Sequence, residues 1–296
     1  MPASIRIPEM RPSDPVDVPA GDIGRLAEFI HSNERLLVLT GAGISTHSGI
    51  PAYRDHTGQW LQRRPILYQD FLRCADTRRR YWARSYFGWP VMAQAAVNPA
   101  HEALCQLERA GSLLGVVTQN VDGLHRRAGQ RNLVELHGRL DRVFCLDCGT
   151  VGCRAELQDR LVELNRGWTA EVRGINADGD ARLDDQDWPG FRVVDCPSCG
   201  GTLKPQVVFF GESVPPATRS AVSDALAQAS AVLVVGSSLV VGSAYRLVRD
   251  AHDLGLPVAA VNRGRTRADE LLEFKLDGGC EVALGAAVAL LEPSHR

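Results

Sequence analysis

Three groups of residues have types and spacings that could do chemistry. The first is Gly41-Ala42-Gly43-Ile44-Ser45, preceded by the apolar run 36–39 with Thr40 and followed by Gly49-Ile50-Pro51. A buried strand opening onto a Gly-x-Gly turn suits a phosphate, because the glycines let the backbone and its N–H groups come close to a pyrophosphate. The dinucleotide fingerprint also expects a third glycine, where Thr46 stands, and an acidic residue about 20 residues on. Neither is present, which argues against a dehydrogenase and leaves a nucleotide open. The second group lies after other apolar runs: Gln119-Asn120-Val121-Asp122 behind 113–118, and His137-Gly138 behind 133–136. Amides, an acid and a histidine at the carboxyl ends of strands stand where open α/β sheets bind ligands.

The third group is a pair of knuckles, Cys145-Leu146-Asp147-Cys148 and Cys196-Pro197-Ser198-Cys199, each followed by glycine. Four thiolates complete a tetrahedral shell around zinc and leave no open position, so the metal would be structural rather than catalytic. The 47 residues between the pairs exceed the usual ribbon spacing, so an insertion loops out, and Asn176-Ala177-Asp178-Gly179-Asp180 reads as a turn within it. A redox Cys-x-x-Cys is the competing reading, and two matched pairs weaken it. Cys153 is a spare thiol, and Cys74 and Cys105 read as buried small apolar residues.

The elements that must position these groups alternate helix and strand, the pattern of a Rossmann-like, doubly wound parallel α/β sheet. Asp22 can cap a helix with Ile23, Leu26, Ala27 and Ile30 on one face, and Asn98 with Pro99 starts another that buries Leu104 and Leu107. Runs 36–40, 113–118, 133–136, 231–235 and 257–261 read as strands ending in small or hydrogen-bonding residues. Helical patterns over 217–229, 244–254 and after Cys280 separate or close them. One ligand crevice along one sheet edge follows. Residues 49–99 are irregular and aromatic, and read as a helical lobe packed on its own rings rather than as an aromatic substrate box. Residues 207–212 alternate like an edge strand.

A chain of 296 residues that is 45% apolar can hold one large core, or a core with a satellite. A net charge of −2 gives no field to attract nucleic acid or a membrane, and neither is expected as a partner. Lysine occurs only at Lys204 and Lys275. The first twenty residues hold five prolines and lack a signal peptide's apolar core, and no window is long enough to span a bilayer, so a cytoplasmic protein is expected. Eight cysteines there argue for metal or buried thiols before disulfides.

Taken in order, Gly41-Ala42-Gly43-Ile44-Ser45, Gly49-Ile50-Pro51-x-Tyr53-Arg54, Thr118-Gln119-Asn120-Val121-Asp122, His137-Gly138, the paired knuckles, Phe210-Gly211-Glu212, Val235-Gly236-Ser237-Ser238 and Asn262 resemble the sirtuin (Sir2) family. The resemblance covers about residues 22 to 291. Within the family the chain is most similar to the class II branch, through Arg64-Pro65-Ile66, Arg80-Tyr81-Trp82-Ala83-Arg84, Gly88-Trp89-Pro90, Asn98-Pro99-Ala100-His101 and Asp141-Arg142-Val143.

The resemblance implies an NAD-dependent protein-lysine deacylase of deacetylase or lipoamidase type, with NAD as co-substrate, one structural Zn²⁺ and acylated-lysine proteins as substrates. The acyl oxygen attacks C1′ of the nicotinamide ribose, nicotinamide leaves, and the ribose 2′-hydroxyl then attacks the former acyl carbon, giving free lysine and acyl-ADP-ribose. This needs one base and no Ser or Cys nucleophile, and the chain has no Gly-x-Ser-x-Gly elbow. By resemblance His137 is that base, with Asn120 at the ribose and Asp122 at the nicotinamide carboxamide. Gly41, Ala42, Gly43, Ile44 and Ser45 would cradle phosphates. Gly49, Ile50, Tyr53 and Arg54 belong to a loop closing over the ribose, beside Gln119 and Val121. Gly236, Ser237, Ser238, Asn262, Arg263, Gly264 and Cys280 would surround the adenosine half. Val208, Phe210, Gly211 and Glu212, with Val240 opposite, would bind substrate by strand addition and line the acyl-lysine tunnel. Cys145, Cys148, Cys196 and Cys199 would hold the zinc.

The implied domains are a disordered N-terminal arm (1–20), an NAD-binding domain from 21–50, 99–138 and 205–296, and a smaller domain of a helical module (51–98) and a zinc module (139–204). One departure from the family is Ala52, where most sirtuins carry aspartate; weaker NAD capture is expected from it. Residues 59–63 lack the Tyr-x-x-Arg pair that reads succinyl groups in another class, so longer or branched acyl groups are expected over small dicarboxylic ones. Two other readings stand beside deacylation: a protein mono-ADP-ribosyltransferase, and a weakly catalytic NAD-sensing scaffold.

Overall fold

The computed structural model describes residues 20–53, 65–184 and 188–291. Residues 1–19 of the expected N-terminal arm, Arg54, Arg64 and the 59–63 segment lie outside the described residues, whereas Ala20, given to the arm, opens a helix. In chain order the elements are α1 (Ala20–His31), β1 (Leu36–Thr40), a 3₁₀ turn (Ala42–Ser48), α2 (Tyr68–Arg73), α3 (Ala75–Gln94), α4 (Pro99–Arg109), β2 (Leu113–Thr118), α5 (Leu124–Ala128) and β3 (Leu133–Glu135). Then follow β4 (Gly138–Cys145), β5 (Val151–Cys153), α6 (Arg154–Leu164), β6 (Leu203–Val207), α7 (Pro216–Gln228), β7 (Ala231–Val235), α8 (Gly242–Asp253), β8 (Val258–Val261), β9 (Phe274–Leu276) and α9 (Cys280–Leu291).

Six parallel strands form one sheet in the order β3-β2-β1-β7-β8-β9. β1 and β7 run through its middle and are buried along their whole length, which explains why their sequences are continuous apolar runs rather than alternating ones. Leu26, Ile30, Leu104, Leu107, Ala283 and Leu284 pack on one face of the sheet, and Leu226, Leu247, Val248 and Ala251 on the other. The sixth strand, β9, was not legible in the sequence: three residues broken by Lys275 give too short an apolar signal. Asn98 caps α4, its side chain accepting from the Ala100 and His101 N–H groups. Asp22, expected as a cap, lies instead inside the first turn of α1, where a negative charge still suits the helix end.

The second sheet has three strands, β5-β4-β6, and carries the knuckles. It takes Gly138 and residues 203–207, so its edges reach past the 139–204 span read from the sequence. Against it packs the aromatic lobe, where Phe71 meets Tyr81 and Phe209 edge-on and Tyr86, Trp168 and Phe191 form a cluster. Cys105 is buried as expected; Cys74 is exposed, because it sits in the break between α2 and α3. The 207–212 stretch is not an edge strand. β6 ends at Val207, Val208 N–H donates to the His137 carbonyl, and residues 209–212 turn back through the Glu212 N–H to Phe209 carbonyl bond. Its alternation reflects a turn that buries Phe209 against the lobe. Among the described residues no helix is long and apolar enough to cross a membrane.

Candidate functional site

The loops leaving the carboxyl ends of β1, β2, β3, β7 and β8 open onto a single cavity of about 1420 Å³. Drug-sized ligands occupy roughly 300–1,000 Å³, so the space suits a dinucleotide together with part of a second substrate. The loops after β1 and β7 are held against one another: Gly41 N–H donates to Val235 O (3.1 Å) and Gly43 N–H to Gly236 O (2.8 Å). A Cβ at Gly43 would stand 2.8 Å from Gly236 Cα, and one at Gly236, whose φ is 62°, would stand 2.3 Å from the Ile44 nitrogen. The glycines thus serve first to let two backbones touch, which shapes the floor of the cavity. Beyond them Leu239, buried and at φ 56°, is strained in the left-handed region, and among the described residues no other non-glycine side chain is.

Polar side chains cross-link this floor. Asn120 Nδ2 donates to Gly41 O and to Ser45 Oγ, both at 3.0 Å, and Ser45 Oγ donates to Asp122 Oδ2 at 2.8 Å. Asp122 Oδ1 also accepts the Leu124 N–H at 2.8 Å. Burial still pushes the Asp122 carboxyl above the ordinary aspartate range, against those two bonds. Gln119 Nε2 donates to Ser237 Oγ at 2.7 Å and to Thr40 O at 3.2 Å, tying the β2 loop to the β7 loop. His137 Nδ1 lies 3.1 Å from the Gln119 carbonyl; a carbonyl only accepts, so Nδ1 carries the hydrogen. Nε2 is then the free acceptor, and it meets Ser243 Oγ at 2.8 Å. Burial holds His137 below the usual histidine range, opposed by the Gln119 bond.

The cavity brings together Gly41, Ala42, Gly43, Ser45, Ile50 and Tyr53 with Gln119, Asn120, Val121, Asp122 and His137. Gly236, Ser237, Ser238, Val240, Asn262, Arg263 and Cys280 line it further along, as do Val208, Phe210, Gly211 and Glu212. Ala52 also faces it. Three expected residues do not reach it. Ile44 is in the core under the sheet, Gly49 closes the 3₁₀ turn at φ 83°, and Gly264 lies behind, its N–H bonded to Asp277. Cys280 is buried with its thiol pushed up to about 12 by burial, which makes it packing rather than a nucleophile.

Residues that sequence reasoning left without a role also line the cavity, among them Asp178, Asp180 and Ser243. Asp178 and Asp180 arrive on the turn read within the insertion, which the Ile175–Ala181 bridge closes. This turn presses on α3 at Gly88, where a Cβ would come within 1.8 Å of Gly179 O. Arg84 reaches Asp180 at 3.4 Å, yet burial pushes the Asp180 carboxyl up to about 8. The signal for a buried role was the Asp-Gly-Asp inside an otherwise charged linker, which reads equally well as a surface turn.

The four knuckle thiols lie within 4.8 Å of one another, with Cys145–Cys199 at 3.5 Å and Cys148–Cys196 at 3.8 Å. Tetrahedral zinc with sulfurs at about 2.3 Å wants sulfur pairs about 3.8 Å apart, so the cluster fits the ion. Gly149 and Gly200, at φ 73° and 74°, let each knuckle turn back on itself.

The family model for Sir2 matches residues 41–243. The chain belongs to the Sir2 family. This sirtuin is 50% identical over 259 residues to NAD-dependent protein deacetylase 2 of Bradyrhizobium diazoefficiens, covering 88% of the chain and 95% of the relative. It is 47% identical over 290 residues to the human mitochondrial NAD-dependent protein lipoamidase sirtuin-4, covering 97% and 90%. A solved Sir2 complex with a p53 peptide and NAD⁺ superposes with a TM-score of 0.71 at 27% identity, covering 91% of this sirtuin and 97% of that chain.

Proposed function

We propose that this sirtuin is an NAD-dependent protein-lysine deacylase in which His137 is the base. The observation that carries this reading is the placement of a neutral imidazole, its Nδ1 fixed by Gln119, on the same cavity as the Gly41–Gly43 loop, Asn120 and Asp122. Bound NAD would supply an electrophilic ribose carbon to which the acyl oxygen bonds as the bond to nicotinamide breaks. His137 Nε2 takes the proton from a ribose hydroxyl, so that the oxygen can attack the acyl carbon. Asn120 and the Ser45–Asp122 pair form the wall for the nicotinamide ribose and carboxamide, and Ser237, Asn262 and Arg263 that for the adenosine half. The residue 208–212 turn and Val240 border the entry of the acyl-lysine.

Longer or branched acyl groups are favoured over small dicarboxylic ones, because residues 59–63 lack the Tyr-x-x-Arg pair that reads succinyl groups in another class. The cysteine pattern suits a reducing compartment such as the cytoplasm. The test is a panel of acetyl-, lipoyl-, long-chain- and succinyl-lysine peptides with product mass spectrometry. Acyl-ADP-ribose from the neutral acyl peptides, lost in His137→Ala, supports the reading. ADP-ribosylated protein without deacylation would establish the mono-ADP-ribosyltransferase alternative in its place.

A further inference from the structure

Ser243 is the second residue of α8, one past Gly242, with Val241 at the N-cap position. Its Oγ lies 2.8 Å from His137 Nε2, and both side chains line the cavity. Because Nδ1 must donate to the Gln119 carbonyl, the hydrogen in the Ser243–His137 contact belongs to the serine. The imidazole is therefore held at both nitrogens by two elements far apart in sequence, the β2 loop and α8. A rotation of the ring by half a turn would put carbon atoms where both nitrogens stand and would lose both bonds. In this part-buried site that leaves the ring one orientation, with its acceptor nitrogen on the cavity side.

We propose that Ser243 is a positioning residue for the base of the deacylase reaction, an inference that rests on the deacylase reading. Its hydroxyl keeps His137 neutral and oriented in the resting enzyme, then yields Nε2 to the incoming ribose hydroxyl. The proton passes from that hydroxyl to Nε2, and the ribose oxygen keeps the electron pair with which it attacks. Ser243 bonds to neither substrate in this step. Its effect is confined to the fraction of enzyme whose base points the right way.

The chemistry separates this role from a general loosening of the cleft. Release of nicotinamide precedes the proton transfer, whereas formation of free lysine follows it. Ser243→Ala, Ser243→Thr and His137→Ala proteins would be compared with the wild type for deacylation of an acetyl-lysine peptide. The same proteins would be assayed for incorporation of labelled nicotinamide into NAD in the presence of that peptide. Ser243→Ala is expected to lower kcat for deacylation roughly fivefold to tenfold, the worth of one hydrogen bond. KM for NAD and for peptide, nicotinamide exchange and Tm should stay within twofold or 2 °C or so of wild type, and threonine, which keeps the hydroxyl, should restore kcat. An unchanged kcat in Ser243→Ala overturns the proposal while leaving the base assignment intact. An equal fall in deacylation and exchange also overturns it, because that marks a structural role. Deacylation surviving in His137→Ala would instead remove the reading on which it rests.

Discussion

The Ser45 hydroxyl donates to Asp122 Oδ2 at 2.8 Å while accepting from Asn120 Nδ2, so the loops after β1 and β2 are joined by a chain of three side chains. Asp122 is buried, and a buried carboxylate depends on each donor it has. Ser45→Ala removes one of two donors to Asp122, which raises its pKa further and lets the carboxyl swing away from the carboxamide. The expected outcome is a rise in KM for NAD of about tenfold, since a hydrogen bond to a charged group is worth about 1.5–3 kcal/mol, with kcat falling less. Steady-state kinetics at varied NAD checks it; an unchanged KM would mean that Asp122 is held well enough by the Leu124 N–H alone.

The zinc prediction concerns folding. Four thiolates leave no ligand position for water or substrate, so the ion acts through the free energy of the lobe, about 10–16 kcal/mol in isolated zinc-finger peptides. Elemental analysis should give one zinc per chain. Cys148→Ser or a strong chelator should lower Tm by more than 10 °C or so and remove activity through loss of the aromatic lobe. A metal-free protein with native Tm would contradict this.

The strands, the crevice and the metal cluster were legible because their signals are chemical and local: continuous apolar runs ending in Gly41, Gln119, His137, Gly236 and Asn262, and paired cysteines followed by glycine. The misses share a different cause. The Val207–Glu212 alternation is a period-2 pattern that a turn can also produce once its apolar residues are drawn into a neighbouring lobe. Asp178 and Asp180 carry only the signal of a turn and Ser243 carries none, because their roles depend on α3 and on His137 meeting them from distant parts of the chain. The glycine loop lines the cavity as its phosphate reading expects, and its glycines also let the β1 and β7 loops touch, a contact that the spacing alone does not reveal.

Two glycines with nearly equal φ separate backbone strain from close packing. Gly236 (φ 62°) would place a Cβ 2.3 Å from the Ile44 nitrogen, whereas Gly123 (φ 72°) has nothing within 4 Å of its added Cβ. Gly123→Ala should cost only the left-handed penalty, about 1–2 kcal/mol, and keep NAD binding. Gly236→Ala must push the β1 and β7 loops apart and should abolish binding measured by calorimetry. Equal effects would show that conformation alone sets both.

Burial holds His137 toward its neutral form. A base works when unprotonated, so a lowered pKa extends activity to more acidic pH. The acidic limb of kcat/KM for NAD should therefore lie below about 6.5, the ordinary histidine value. A limb above that value would mean that the ring is more solvated or meets an anion in the working enzyme.

Asp180 carries the clearest stability signature. Its carboxyl titrates near about 8 in the folded chain because burial outweighs the pull of Arg84 at 3.4 Å and Asp178 adds to the rise; an unfolded aspartate titrates near about 3.9. Between those values the folded state binds a proton that the unfolded state lacks, so stability is fully present below about pH 4 and declines as pH rises through about 8. One proton corresponds to about 1.4 kcal/mol per pH unit within that window. Asp180→Asn keeps the shape, removes the titration and leaves Arg84 its bond to the Ala181 carbonyl at 3.1 Å. Its unfolding free energy by urea should be flatter than that of wild type from pH 6 to pH 8, with the variant gaining on wild type at the alkaline end. Parallel curves would mean that the Arg84–Asp180 pair stays ionised in the fold.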